Sequence, residues 1–264
     1  MRNVVKEFSA EPCDLTKILN WVQSPKFDTS PREKVLVILG ATSTGKSSLA
    51  IRLAEILQTE IISADSMSVY KNFNVGTAKP TTAELQKVRH HLIDILEPEE
   101  KFSVVEFVRR AEKIITEINL QRKIPIVVGG TGLYIQALLE GYSFDASKSR
   151  EKFFAKSGEL KYNALVLGLA VNRAELYRRI DLRTKRMFDC GLVEEVQKLL
   201  TDGVSPKAQA MLGIGYKEVV DYLQKNSTLE ETISKVAQNT RNFAKRQLTW
   251  YRRMDYIKWI ATDI

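Results

Sequence analysis

The feature that most constrains the fold is a segment at 40–47 that matches the pattern G-x-x-x-x-G-K-[ST]. An apolar, β-branched run at 35–39 precedes it and predicts a buried strand, and apolar residues spaced three and four apart at 48–57 predict a helix after it. A glycine loop between a strand and a helix turns backbone N–H groups toward an anion. The segment therefore predicts a phosphate-binding loop, formed by Gly40, Ala41, Thr42, Ser43, Thr44, Gly45, Lys46 and Ser47.

In this loop Lys46 supplies a full positive charge, and Ser47 is the residue type that holds a magnesium ion. The pattern does not identify the phosphate compound. ATP, GTP and a prenyl diphosphate all present the same pair of bridged phosphoryl groups. On the loop alone, ATP-binding and other nucleotide-binding proteins and enzymes that use an isoprenoid diphosphate all remain open.

The composition narrows the class of protein. The 264 residues are 44% hydrophobic, which is enough for a large globular core. The net charge of +8 favours a polyanionic partner such as nucleic acid, although a solvated basic surface has the same charge. Only two cysteines occur, so a disulfide framework is excluded. No apolar run approaches the roughly 18 residues of a membrane span, and we expect a cytoplasmic monomer with no membrane partner.

The order of elements predicts an α/β fold, a doubly wound parallel sheet of the P-loop NTPase-like class with a helical C-terminal part. Residues 1–33 contain three prolines and one short helix at 14–23, and we interpret them as an appendage that packs on a core at 34–264. A polar stretch at 142–163 interrupts the core. Strands are predicted at 35–39, 60–65, 91–96, 124–130 and 164–171, and helices at 48–57, 104–120, 133–139, 173–200, 215–225 and 228–254.

Polar residues follow two of the predicted strands. Asp65 ends the strand at 60–65 and Ser66 follows it, and Thr131 follows the strand at 124–130. In open α/β sheets the ligand binds outside the carboxyl ends of the strands, so these side chains are expected to converge on the phosphate-binding loop. The Asp65 carboxylate has three possible roles: a partner of magnesium, a general base beside the diphosphate, or a cap of the turn that follows it.

The two histidines, His90 and His91, are adjacent on a predicted strand. Adjacent strand residues point to opposite faces, so the pair cannot chelate one metal ion. Since the chain has no other histidine, a zinc site is not expected.

The helix at 228–254 concentrates positive charge. Its basic residues lie outside an apolar stripe and are interleaved with Trp250 and Tyr251, a combination that suits phosphate contacts and base stacking on single-stranded RNA. A solvated amphipathic helix would carry the same charges. A second basic group favours nucleic-acid binding further. The first group is Arg241, Lys245, Arg246, Arg252 and Arg253, and the second is Arg178, Arg179, Arg183, Lys185 and Arg186.

Six motifs follow one another along the chain: GATSTGKS (40–47), ADSMSVYK (64–71), VGTAKP (75–80), HHLID (90–94), GGTGLY (129–134) and FAKRQLTW (243–250). Together they cover most of 34–141 and 164–255, and the combination is highly specific. It resembles the bacterial tRNA dimethylallyltransferases. The resemblance implies transfer of a dimethylallyl group from its diphosphate to N6 of the adenine just 3′ of the tRNA anticodon. It also implies that the loop holds dimethylallyl diphosphate rather than ATP.

The resemblance assigns roles to the residues named above. Asp65 would be the general base that accepts the N6 proton, and Thr131 would orient the reacting groups. The loop would bind the diphosphate with magnesium on Ser47, and Arg246 would also face phosphate. The residues expected to contact tRNA are Asp65, Ser66, Met67, Ser68, Arg241 and Lys245.

The chain departs from the family pattern in two places. About twenty residues at 142–163 stand where many members have a longer helical insertion, and Ser68 stands where many have glutamine. Two alternatives are therefore retained beside the tRNA prenyltransferase. One is an enzyme acting on a small molecule, either isopentenyl transfer to a free adenine nucleotide or a P-loop kinase. The other is a truncated RNA-binding homologue with little activity.

Overall fold

The computed structural model describes residues 11–24, 31–142 and 159–262. They form a parallel sheet of seven strands in the spatial order β1-β7-β6-β2-β5-β3-β4. The strands are β1 (Glu11–Pro12), β2 (Lys34–Gly40), β3 (Ile61–Ser63), β4 (His90–His91), β5 (Ile126–Gly129), β6 (Asn163–Ala170) and β7 (Lys258–Ala261). The strand that leads into the phosphate-binding loop, β2, lies between β5 and β6 in the middle of the sheet.

Helices cover both faces of this sheet. Val35, Val37 and Leu39 of β2 belong to one buried cluster, and Leu36 and Ile38 belong to another on the opposite face. A strand buried on both faces appears in the sequence as an unbroken apolar run. The predicted α/β class with a doubly wound parallel sheet is confirmed.

Nine α-helices occur in the part of the chain that the structure describes. Several begin with a side-chain cap; Thr228 and Glu231, for example, form a reciprocal capping box at the start of the long basic helix. The helices are α1 (Leu15–Val22), α2 (Lys46–Leu57), α3 (Thr82–Lys87), α4 (Val104–Leu120), α5 (Gly132–Glu140), α6 (Arg173–Asp189), α7 (Leu192–Thr201), α8 (Tyr216–Leu223) and α9 (Leu229–Tyr251), with a 3₁₀ turn at Gln209–Leu212.

The N-terminal residues 11–24 extend the sheet. The short strand β1 pairs with β7 at the edge, and Cys13 donates its backbone N–H to the carbonyl of Ala261 at 3.0 Å. Helix α1 buries Ile18 and Val22 in the cluster that contains Leu36 and Ile38. This segment is therefore held by backbone pairing and by apolar packing on the same sheet.

Two predicted elements are wrong. The strand at 91–96 is reduced to His90–His91, because Leu92 and Asp94 have φ angles of 61° and 54°, which no strand accommodates. The single helix at 173–200 is two helices. The chain leaves α6 at Cys190 and turns at Gly191, whose φ of 91° is in the left-handed region.

Two other expectations concern membranes and the shortened insertion. Within residues 11–24, 31–142 and 159–262, no helix is both long and apolar enough to cross a membrane. The predicted insertion at 142–163 falls mainly on 143–158, which lie outside the described residues. Helix α5 ends at Glu140 and β6 begins at Asn163, so about twenty residues connect them.

Candidate functional site

The phosphate-binding loop turns sharply between β2 and α2. Ser43 has a φ of 63°, and Gly45, at the N-cap of α2, has a φ of 90°. The buried Thr44 hydroxyl donates to the carbonyl of Ala41 at 2.8 Å, which closes the loop on itself. With no side-chain cap on α2, its first N–H groups remain directed at the space in front of the loop, where an anion is favoured.

Two cations face this space. Lys46 donates to the carbonyl of Ala41 at 2.7 Å. Arg183 of α6 donates to the Thr42 hydroxyl at 3.0 Å and to the Thr77 carbonyl at 3.4 Å. Burial, and to a smaller extent the neighbouring Arg183, lower the pKa of Lys46 to about 7 against the opposing effect of Asp65. Burial also lowers the pKa of Arg183. A diphosphate bound here would relieve this repulsion by supplying negative charge.

The lowered pKa of Lys46 predicts proton uptake when a diphosphate binds. At about pH 8 the Lys46 side chain is mostly uncharged in the free protein, and a bound anion raises its pKa, so Lys46 should take up about one proton on binding. At about pH 6 Lys46 is already charged and no uptake is expected. Calorimetry of pyrophosphate binding to the protein, in buffers of different ionisation enthalpy, measures the number of protons taken up. Lys46→Arg should remove the uptake because a guanidinium stays charged; equal uptake in both proteins would contradict the assignment.

Asp65, just after β3, caps the turn that follows it and also faces the site. Its Oδ1 accepts hydrogen bonds from the backbone N–H groups of Met67 at 2.8 Å and Ser68 at 3.3 Å. Its Oδ2 accepts no hydrogen bond from any residue that the structure describes. The capping role is thus observed, and it leaves the second oxygen available for a proton or a ligand.

Thr131 lies beside this turn. Its hydroxyl accepts a hydrogen bond from the backbone N–H of Ser66 at 3.1 Å, and its own N–H donates to the carbonyl of Ala64 at 3.2 Å. The hydroxyl therefore fixes the Asp65–Ser66 turn relative to the start of α5. The ends of β3 and β5 are held together, as expected for neighbouring parallel strands.

Gln247 of α9 joins the two loops of the site. Its Oε1 accepts from the N–H of Thr42 at 2.9 Å, and its Nε2 donates to the carbonyl of Gly130 at 2.8 Å. The side chain is 5% exposed. At Gly130 a Cβ atom would come within 2.4 Å of the Gln247 amide nitrogen, so only glycine allows this approach. The basic helix is therefore tied directly to the phosphate-binding loop.

Two adjoining cavities meet at these residues. The smaller, about 110 Å³, is lined by Lys46 and Ser47, and we call it the phosphate-side cavity. The larger, about 330 Å³, is lined by apolar side chains such as Met67 and Ile214 and by Arg246, and we call it the acceptor-side cavity. Six residues line both: Thr42, Asp65, Thr77, Gly130, Arg183 and Phe243. Asp65 thus lies at the junction of a cationic space and a more apolar one.

The structure distributes the predicted tRNA-contact residues unevenly. Ser66 and Met67 line the acceptor-side cavity, whereas the buried Ser68 lines the phosphate-side cavity. Arg246, assigned to phosphate, lines the acceptor-side cavity with its guanidinium 5.7 Å from the Phe243 ring centre.

Two of these basic residues lie elsewhere on α9. Lys245 is exposed. Arg241 lines neither cavity; it forms an ion pair with Asp181 of α6 and stacks over the Tyr177 ring. Its positive charge is therefore already matched within the protein.

The histidines do not form a metal pair. His90 lines the phosphate-side cavity and its Nδ1 bonds the carbonyl of Val88 at 2.8 Å, whereas His91 Nε2 bonds Glu60 at 2.6 Å. Among the described residues no group of three His, Cys, Asp or Glu side chains could hold a metal ion.

Ser47 and Asp65 line the same cavity with hard oxygen donors. This donor set fits magnesium, which takes most of its ligands from substrate phosphates and water.

Arg183 and Gln247 belong to the site although the sequence motifs do not single them out. Arg183 is in the second basic group, but its spacing on α6 does not show that it reaches back to Thr42. Gln247 lies inside the FAKRQLTW motif, and a polar residue amid the apolar stripe of α9 was an available signal.

The chain is similar in sequence and in fold to proteins of one known family. A family model described as IPP transferase matches residues 68–159 and 145–254. The tRNA dimethylallyltransferase of Pelotomaculum thermopropionicum is 38% identical over 288 residues, covering 88% of this chain and 92% of that protein. The full-length tRNA isopentenylpyrophosphate transferase of Bacillus halodurans superposes with a TM-score of 0.81 at 35% identity, over 88% of this chain and 91% of that one. A eukaryotic dimethylallyltransferase, solved acting on tRNA, gives a TM-score of 0.77 at 25% identity, over 88% and 74% of the two chains.

Proposed function

Since this chain belongs to the IPP transferase family, we propose that it transfers the dimethylallyl group of dimethylallyl diphosphate to N6 of the adenine just 3′ of the anticodon in tRNA. The enzyme acts in the cytoplasm as a monomer. The observation that carries the proposal is the position of Asp65, which lines both the phosphate-side and the acceptor-side cavity and keeps Oδ2 out of the hydrogen bonds of its turn. A donor in the first cavity and an acceptor base in the second would react beside this carboxylate.

The reaction is an allylic displacement. The N6 nitrogen attacks C1 of the dimethylallyl group, the C1–O bond breaks, and pyrophosphate leaves with the bonding electrons. N6 is a weak nucleophile because its lone pair is delocalised into the purine ring, and Asp65 accepts the N6 proton as the C–N bond forms. Thr131 holds the turn that carries Asp65 and so orients the carboxylate.

Charge on the leaving pyrophosphate is stabilised by groups already directed at it. Lys46, Arg183 and the N–H groups at the start of α2 all face the phosphate-side cavity. Because they are fixed before the reaction, they act without reorganisation as negative charge grows on the leaving oxygens. Magnesium bound to Ser47 would neutralise part of the diphosphate charge. ATP has no role in this chemistry.

The acceptor-side cavity suits an extruded base. Its volume of about 330 Å³ falls in the range of small-molecule sites, and the half-buried Phe243 offers an aromatic face for stacking. An anticodon loop releases a base from its stack more cheaply than a duplex does. Arg246 at this cavity and Lys245 nearby on α9 supply positive charge for the RNA backbone.

The salt dependence of tRNA binding tests the RNA half of the proposal. Each phosphate contact on a single-stranded segment contributes a log–log slope of about −0.7, so Arg246→Gln should flatten the slope by roughly one contact. Arg241→Gln is the matched control on the same helix. It should change the slope less, because Asp181 already pairs with Arg241. Filter binding of an unmodified anticodon stem-loop across salt concentrations measures both. Salt-insensitive binding would instead favour a free adenine nucleotide as acceptor.

A further inference from the structure

The carboxylate of Glu195, on α7, collects four hydrogen bonds outside both cavities. Its Oε2 accepts from the N–H groups of Asn74 at 2.9 Å and Val75 at 2.8 Å. Its Oε1 accepts from the N–H of Gly76 at 3.2 Å and from the Tyr216 hydroxyl at 2.7 Å. Three successive backbone amides that converge on one anion form a concave donor site, and here the anion is part of the protein.

The loop held in this way reaches the reaction site through its next residue. Thr77 lines both cavities, and its carbonyl accepts the hydrogen bond from Arg183 at 3.4 Å. At Gly76 the Tyr216 ring packs so closely that a Cβ atom would lie 2.4 Å from it. The path from Glu195 to the diphosphate-facing guanidinium therefore has two steps, the amides at 74–76 and the Thr77 carbonyl.

The other end of the loop is fixed independently. Lys79, with a side chain 4% exposed, pairs with Asp94 and donates to the carbonyl of Tyr70. Loss of Glu195 would leave the amides at 74–76 without their acceptor, while the N–H groups of Ala78 and Lys79 would keep their bonds to the carbonyls of Val75 and Asn74. Half-buried amides without an acceptor are costly, so the segment at 74–77 would shift to let them reach water.

We propose that Glu195 is a positioning residue for the diphosphate site. By binding the backbone amides at 74–76 it fixes the position of the Thr77 carbonyl, and this carbonyl orients the Arg183 guanidinium. The inference rests on the proposed function only in naming the diphosphate as ligand. Glu195 touches no reacting atom. Its effect falls on the affinity for the donor and not on the affinity for tRNA.

Glu195→Gln is the test variant, and Glu194→Gln is its control. Both residues lie in the first turn of α7, so each change removes one charge from the same helix N-terminus. Glu194 is exposed and accepts none of these amide hydrogen bonds. A glutamine at 195 keeps the side-chain shape, but its NH₂ group is a donor that faces other donors.

The readouts are the dissociation constant of inorganic pyrophosphate, KM for dimethylallyl diphosphate, the tRNA dissociation constant, and amide hydrogen exchange at 74–76. We expect Glu195→Gln to weaken pyrophosphate binding and raise KM roughly tenfold, to speed exchange at 74–76, and to leave tRNA binding unchanged. Glu194→Gln should match the wild type. Tyr216→Phe, which removes one of the four donors, should give a smaller weakening of pyrophosphate binding and serves if Glu195→Gln does not fold.

Wild-type pyrophosphate affinity in a folded Glu195→Gln protein would overturn the proposal. If the melting temperature fell while the affinity stayed unchanged, Glu195 would have a purely structural role. An equal loss of tRNA binding would also overturn it. The pyrophosphate measurement needs no tRNA. A chain that binds pyrophosphate without modifying tRNA would therefore count against the proposed function and leave the test of Glu195 intact.

Discussion

Asp65→Asn is expected to lower the single-turnover rate of dimethylallyl transfer roughly 100-fold or more, the range for loss of a general base. An asparagine keeps an oxygen that accepts from the N–H groups of Met67 and Ser68, so the turn is retained. The amide that replaces Oδ2 cannot take the N6 proton. The dissociation constant of dimethylallyl diphosphate should change little, because Lys46 and Arg183 are untouched. Rapid-quench assays at saturating enzyme measure the rate.

Asp65→Ala separates the two roles of this carboxylate. Alanine removes the base and also the acceptor of the turn, so its rate should fall below that of Asp65→Asn and its melting temperature should drop. If Asp65→Asn transferred at close to the wild-type single-turnover rate, Asp65 would not be the base. The carboxylate would then only cap the turn.

Lys46→Ala should weaken the binding of dimethylallyl diphosphate by roughly 10- to 100-fold, since a hydrogen bond from a charged donor contributes about 1.5–3 kcal/mol. Lys46 is the cation of the phosphate-binding loop. Its neighbour Arg183 cannot fully replace the lost charge, because its guanidinium is held by hydrogen bonds to Thr42 and Thr77. The affinity for tRNA should be unchanged. Calorimetry with the diphosphate and filter binding with tRNA measure the two affinities separately.

Lys245→Ala is the reciprocal control for Lys46→Ala. It removes an exposed lysine of α9, so it should weaken tRNA binding and leave the diphosphate affinity at the wild-type value. A parallel loss of both affinities in Lys46→Ala would mean that the loop supports the whole site structurally. That result would argue against a separate phosphate-side cavity.

The fold was largely predictable because its determinants are local. The run at 35–39 is buried on both faces and therefore reads as apolar throughout, and the glycine pattern after it fixes a tight strand-to-helix turn. Helix α4 was predicted with its observed bounds, since Ser103 caps it and its apolar spacing is regular. Helix α3 was missed although the Thr81–Glu84 capping box is a local signal, because the helix buries no residue and has no apolar stripe.

The remaining elements depend on contacts distant in sequence. The two-residue strand β1 exists only because β7 lies beside it. The break of the strand at 91–96 arises from the left-handed backbone of Leu92 and Asp94, where Asp94 pairs with the buried Lys79. Leucine gives no sequence signal for a positive φ, and aspartate, although enriched in the left-handed region, gives only a weak one.

In the candidate site, too, some residues are predictable from local sequence and others depend on contacts distant in sequence. Residues of the phosphate-binding loop and Asp65 follow strands directly, so the rule that ligands bind at the carboxyl ends of strands locates them. Arg183 and Gln247 enter from α6 and α9, more than a hundred residues later. Their reach depends on how those helices cross the sheet, and charge or spacing along one helix does not determine it.

The most direct test is mass spectrometry of nucleosides after the purified chain acts on unmodified tRNA with dimethylallyl diphosphate and magnesium, without ATP. An otherwise identical reaction offers AMP in place of tRNA. We predict an adenosine that carries one dimethylallyl group in the tRNA digest, the same yield when ATP is added, and no prenylated AMP. A strict need for ATP with phosphate release, prenylation of AMP as fast as tRNA, or tRNA binding without any modified nucleoside would contradict the account.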